Sequence, residues 1–359
     1  MPKELSLRLI FVGVFCVGLV MQLSLWFSYN YTDADLWATA SQTLSTHVLP
    51  SLDGPIPPHP GTSIILPAAG LIELGIQPYA ALQITIAILM ALGIASIACL
   101  CYSLRPKSPW WLGAVIVLLP NWLYLVLTPP SAVASILATL LVLLALRVRE
   151  EKQLHATTVL QLGICGGILL ATRLDTGVMF LTTSLAYLFF YKGSRMFAAA
   201  PIALATFAIL NPYLWFEPLA YVANFFHQVR FNLSVENGLG IQNHMLYLPA
   251  LSFAISLFIA TCKPSYSSVP RDFLLWIMGT SVALWGVLLI PSYHPSRYFF
   301  PIIAIWETVL PILLFDCIER SEFARKKILS FPAVYTIAGV LFLYRAVAIV
   351  VFVFLYIRN

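Results

Sequence analysis

Apolar residues run along this chain in blocks of about 20, long enough to cross a hydrocarbon core of roughly 30 Å as helices. The blocks fall at about 8–28, 78–103, 110–127, 131–147, 156–172, 176–192, 196–213, 244–262, 272–291, 298–316 and 331–356. This pattern predicts an all-α, polytopic membrane protein of about eleven spans. The first block lacks a small-residue cleavage site and leads into a multi-span pattern, so it reads as a retained helix rather than a removed signal peptide. The stretch Pro60 to Gly75 is too short to span, is broken by Pro67 and contains Glu73. It reads as a re-entrant or interfacial helix. A long first outer loop at about 28–78 follows. In it, Asp35 to Leu49 can form a surface helix whose apolar face carries Leu36, Ala40, Leu44 and Val48, with Trp37 suited to the membrane interface. The five prolines between Pro50 and Pro60 forbid a helix there.

Composition narrows the class. The chain is 60% apolar and 10% charged, where a soluble domain carries about 25% charged residues. Its mean hydropathy is +0.89. A soluble enzyme, a disulfide-stapled secreted domain and a disordered chain are excluded, and a porin-type barrel would need alternating strands. The seven lysines lie at the ends of apolar blocks instead of on one basic face, so nucleic-acid binding is not expected. Excess Lys and Arg marks the cytoplasmic side. With the N-terminus inside, the cytoplasmic loops are Arg105–Lys107, Arg147–Lys152, Lys192–Arg195, Lys263–Arg271 and Arg320–Lys327, and every lysine lies inside. The six cysteines fall within spans or at lysine-marked ends, as buried structural residues do; Cys99 and Cys101 lack the partners of a zinc site.

The candidate chemistry lies on the opposite face. No Lys or Arg occurs from Leu9 to Leu104, yet this stretch holds Asp33, Asp35, Asp53 and Glu73. Asp33 and Asp35, just after the first span, can reach one substrate hydroxyl or share a divalent cation such as Mg or Mn. Thr32-Asp-Ala-Asp35 also matches a helix-capping box, a role compatible with either. His59, in a rigid His-Pro-Gly turn, is a packed surface residue or a group held for substrate. Arg173 and Asp175 occupy a very short outer loop; they form a mutual ion pair or serve a substrate, since ions at the membrane edge usually have a task. His294, Arg297 and Tyr298 form the last outer motif. Arg297 has no nearby acid in sequence and suits a phosphate, or it snorkels to the interface. Within the spans, Glu307 and Arg345 are expected to pair. A lipid-phosphate sugar held by arginines, with a carboxylate taking the acceptor's proton, fits this set of groups.

These motifs resemble a family. Asp33-Ala-Asp35 looks like the modified DxD motif of GT-C superfamily glycosyltransferases. His59-Pro60-Gly61 is similar to the His-Pro-Pro-type segment of protein O-mannosyltransferase-like and aminoarabinose-transferase-like members. The Gly-rich span ending in Arg173-Leu-Asp175 and the segment His294-Pro-Ser-Arg297-Tyr298-Phe-Phe-Pro301 also look like theirs. The chain is expected to be a single membrane domain over 1–359, with a GT-C-like catalytic module at 1–217 and C-terminal helices at 218–359; many members of the family carry a soluble C-terminal domain, and here none is expected. The resemblance implies a polyprenyl- or dolichyl-phosphate-linked sugar donor, inverting transfer on the lumenal or periplasmic face, and Asp33 or Asp35 as base. Arg173, Arg297 and His294 would bind the donor phosphate, and His59, Asp175 and Tyr298 the substrate. The acceptor is not implied. The membrane would be the cytoplasmic membrane of a bacterium or archaeon, or the endoplasmic reticulum of a eukaryote. A transporter or flippase for a lipid-linked substrate, and a non-catalytic subunit of a glycosylation complex, are the competing expectations.

Overall fold

A computed structural model describes residues 3–26, 32–50, 61–119, 129–224, 253–258, 267–289 and 299–320, with the single positions 226, 261 and 343. Among these, all regular structure is helical. The elements are α1 (Lys3–Trp26), α2 (Thr32–Ser45), α3 (Thr62–Glu73), α4 (Pro78–Leu104), α5 (Trp110–Leu118), α6 (Pro129–Glu150), α7 (Ala156–Thr172) and α8 (Leu174–Lys192). A 3-10 turn (Gly193–Ala198) leads into α9 (Ala199–Ile209), followed by α10 (Tyr213–Phe216), α11 (Arg271–Leu289) and α12 (Phe300–Arg320). Among the described residues, four stretches are long and apolar enough to cross a membrane: Ser6–Leu23, Pro78–Leu104, Pro130–Glu150 and Leu174–Ile209. Helices α3 and α7 are apolar but shorter. The expected spans at 244–262 and 331–356, and the second half of that at 110–127, lie wholly or mainly outside the described residues.

Prolines and one glycine set the breaks. Pro78 opens α4 at a position where its missing N–H costs nothing. Pro106 and Pro109 follow the end of α4 and keep the helix from continuing. Between α7 and α8 the only non-helical residue is Arg173, in extended backbone. After α8, Gly193 adopts φ 64°, which a side chain would oppose, and the chain reverses there. The reversal is visible in the neighbours of α7. Gly163 and Gly167 face Ile202 and Ala203 of α9 in parallel order, whereas Gly166 and Leu170 meet Leu181 and Gly177 of α8 in antiparallel order. The 36-residue apolar stretch is therefore two packed passes, with the turn at the Lys192–Arg195 loop expected from charge.

Glycine on α7 lets backbones touch. A Cβ at Gly167 would lie 2.5 Å from the Ala203 carbonyl oxygen, and one at Gly177 would lie 2.7 Å from the Leu170 backbone. In lipid there is no hydrophobic gain between helices, so such close packing carries much of the association.

One end of the bundle is stitched by ions. Arg105 donates two hydrogen bonds to Glu150, at 2.6 and 2.7 Å, and lies over the Trp110 ring. The bond to Glu150 raises the Arg105 pKa further above its ordinary value. Arg149 makes a similar fork to Asp272, which also accepts the Tyr187 and Tyr191 hydroxyls. Asp316 accepts bonds from Ser267 and Ser268, Arg105 donates to Ser268, and Lys192 donates to the Glu151 carbonyl. These contacts bring the ends of α4, α6, α8 and α12 and the start of α11 together, as the alternation of basic loops requires. Helix α1 begins at this end too, because Cys99 near the end of α4 bonds the Leu7 carbonyl and Gln83 bonds that of Leu23. Glu307 is buried on α12, while Arg345 lies outside the described residues.

Gly167→Val, measured by thermal unfolding in detergent or nanodiscs, should destabilise the protein by about 1–3 kcal/mol through overpacking. Gly70→Ala, where nothing lies within 4 Å of the added methyl, should leave the midpoint unchanged.

Candidate functional site

The opposite end gathers the starts of α2, α3, α4, α6 and α8. Helix α2 begins at Thr32, which puts Asp33 and Asp35 in its first turn, where the helix dipole favours carboxylates. Asp35 is exposed, and its Oδ1 accepts a 2.6 Å bond from the Tyr79 hydroxyl at the start of α4. The side chains of Thr32 and Asp33 lie outside the described residues, as does His59. Glu73, closing α3, lies 3.9 Å from His47.

The orientation of α2 differs from the expected one. Trp37, Ala38 and Ser41 are buried, and Val48 is exposed. Trp37 is thus a core residue and not an interfacial anchor. Its partner explains the rotation: a side chain at Gly61 would overlap the Trp37 ring, so the ring seats on the glycine that precedes α3. An apolar stripe at four-residue spacing cannot reveal a partner glycine that lies far along the chain.

From there the contacts run to Arg173. The first turn of α3 reaches the end of α7, with Thr62 donating to the Ala171 carbonyl at 3.3 Å and Ser63 bonded to the Thr172 hydroxyl at 2.7 Å. Arg173 follows, its side chain enclosed. Nε and Nη2 donate to Asp175 at 3.1 and 2.5 Å, and Nη1 donates to the Ser131 hydroxyl at 2.8 Å in the first turn of α6. Asp175 also accepts the Thr176 N–H at 2.7 Å, within the first turn of α8. The Arg173–Asp175 ion pair is therefore formed, with the first turns of α6 and α8 bonded to it and that of α3 bonded to the two residues before it.

Asp35, Arg173 and Asp175 thus belong to one end of the bundle, linked through Trp37, Gly61 and α3. His294, Arg297 and Tyr298 lie outside the described residues; α12, which follows them, starts at the end opposite Asp316. Among the described residues no group of three or more His, Cys, Asp or Glu side chains could hold a metal. Tyr79 and Ser131 were not singled out from sequence. Each follows a proline at a helix start, and that is the only local signal either carries. No family model matches the chain, and no curated protein or solved structure matches it.

Asp175→Asn removes the carboxylate facing an enclosed guanidinium and should cost about 1–2 kcal/mol in thermal unfolding. The Arg173→Gln, Asp175→Asn double variant should lose less than the sum of the two single variants, because the groups are coupled. Additive losses would show that the pair does not act as a unit.

Proposed function

We propose that the protein is an integral-membrane glycosyltransferase of the GT-C type, using a polyprenyl- or dolichyl-phosphate-linked sugar at the face opposite the basic end. One observation carries the reading. An exposed carboxylate at the start of α2 shares its end of the bundle with an enclosed arginine bonded into the first turns of α6 and α8. This arrangement supports a reading in which a carboxylate and a cationic group act at one membrane edge.

In this reading the acceptor hydroxyl attacks the anomeric carbon and its proton passes to Asp33 or Asp35. The bond between that carbon and the phosphate oxygen breaks, and the lipid phosphate departs with the bonding electrons. One displacement inverts the anomeric centre, with no covalent enzyme intermediate. Because Arg173 is braced by Asp175 and Ser131, its part is a fixed positive field and a rigid turn. Arg297 and His294 remain the proposed direct phosphate donors, and His59 and Tyr298 remain substrate contacts. A divalent cation at Asp33 and Asp35 would supply further phosphate neutralisation. Excess Lys and Arg at the other end puts that end, and the N-terminus, in the cytoplasm. The site then faces the periplasm, the archaeal exterior or the lumen.

Protein in nanodiscs, supplied with lipid extract from its own membranes, should release polyprenyl phosphate detectable by mass spectrometry. Asp33→Asn or Asp35→Asn, whichever is the base, should cut the rate by about 100-fold or more while leaving the unfolding midpoint unchanged. Full activity in both variants would remove the carboxylate mechanism.

A further inference from the structure

Two cations at the basic end have no carboxylate partner among the described residues. Glu150, Glu151, Asp272 and Asp316 each accept hydrogen bonds already. Glu151 is taken by Arg147 at 3.3 Å and by the Thr158 hydroxyl at 2.7 Å. Lys152 and Arg195, by contrast, are exposed, and neither belongs to any ion pair.

The two lie on one surface. Lys192, closing α8, donates to the Glu151 carbonyl, so the end of α8 rests against the residue before Lys152. A Cβ at Gly163 would lie 2.9 Å from the Ala199 carbonyl oxygen. The 3-10 turn that carries Arg195 therefore runs beside the first turns of α7, which Lys152 precedes. An ammonium has three N–H groups and the Glu151 carbonyl takes one, so Lys192 keeps donors to offer as well. Three cations thus border a patch whose adjoining carboxylate is already paired.

What continues from this patch is apolar. Helices α7 and α9 both start at this end and run in the same direction, and each turns a stripe outward: Leu160 and Ile164 on α7, Leu204 and Ile209 on α9. Phe189 and Phe190 precede Lys192, and Phe197 follows Arg195. All three rings are exposed, with Phe189 centred 6.0 Å from Phe190 and 5.5 Å from Phe197. Exposed aromatic rings at a helix end sit at headgroup level in a bilayer. Fixed positive charge at that level, with apolar surface running on from it, matches a molecule that has a phosphate at one end and hydrocarbon at the other. A guanidinium suits the phosphate through its planar fork. A free anion would not use the stripes, and a soluble acidic partner would leave the phenylalanines in water.

We propose that Lys152, Lys192 and Arg195 bind the phosphate headgroup of an anionic phospholipid whose acyl chains lie along the exposed stripes of α7 and α9. The site lies at the end of the bundle opposite the proposed reaction and does not depend on it.

Native mass spectrometry of the full protein in detergent, titrated with dioleoyl phosphatidylglycerol or dioleoyl phosphatidylcholine, tests this. At least one phosphatidylglycerol should be retained more tightly than phosphatidylcholine. A cation at the headgroup is worth about fivefold in affinity, so Lys152→Gln and Arg195→Gln should each weaken that preference by about this factor. Arg8→Gln, which removes an exposed cation of the same end on α1, should leave it unchanged. Dihexanoyl phosphatidylglycerol keeps the headgroup, shortens the chains and should bind more weakly than the dioleoyl form. Phosphatidylglycerol should also raise the thermal unfolding midpoint of the unsubstituted protein more than that of Lys152→Gln or Arg195→Gln. Without anionic lipid the three midpoints should coincide, because neither side chain is paired. Equal retention of the two dioleoyl lipids would overturn the proposal, as would a loss in Arg8→Gln as large as in the other two variants. Displacement of the lipid by inorganic phosphate at constant ionic strength, or equal binding of the short- and long-chain forms, would overturn it too, since the site would then take a free anion.

Discussion

A helix in hydrocarbon can carry charge cheaply only near its ends, and there only if the charge is paired or wet. That constraint shapes both ends of this bundle. At the basic end, Arg105 and Arg149 each fork onto a carboxylate, and Asp316 is satisfied by serines. This end is cross-braced. Surface ion pairs contribute little, but forked and half-buried pairs joining α4, α6 and α11 fix their relative positions.

The other end holds one such fork, Arg173 on Asp175, and an exposed carboxylate, Asp35. Asp35 meets only a phenol hydroxyl among its described contacts and stays exposed, and Arg173 is enclosed, bonded to one carboxylate and one serine in the first turns of α8 and α6. The glycine contacts of α7 with α8 and α9 hold the Arg173 turn between closely packed helices.

Much of this was legible in the residues themselves. Arg105, Arg149 and Lys192, expected in loops on one side, do lie at one end of the bundle, since charge costs less near a helix end than in its middle. The short helix after the Pro-rich run and the Arg173–Asp175 pair were legible for local reasons: helix length, Pro67 and a two-residue separation. Partnerships across long separations were not. Trp37 on Gly61, Tyr79 on Asp35, Arg173 on Ser131 and Tyr213 on Pro50 depend on how helices rotate against one another, and no periodicity encodes that. The motifs around His59 and Arg297 lie outside the described residues, so their part rests on sequence.

The central claim is that the polar end binds a lipid phosphate carrying a sugar. The most direct measurement is mass spectrometry of lipids that remain with the protein after extraction in a native-membrane polymer. The account predicts a polyprenyl or dolichyl phosphate, with or without its sugar, enriched over the bulk membrane and depleted in Arg297→Gln. Bulk phospholipids alone, in the proportions of the surrounding membrane, would contradict it.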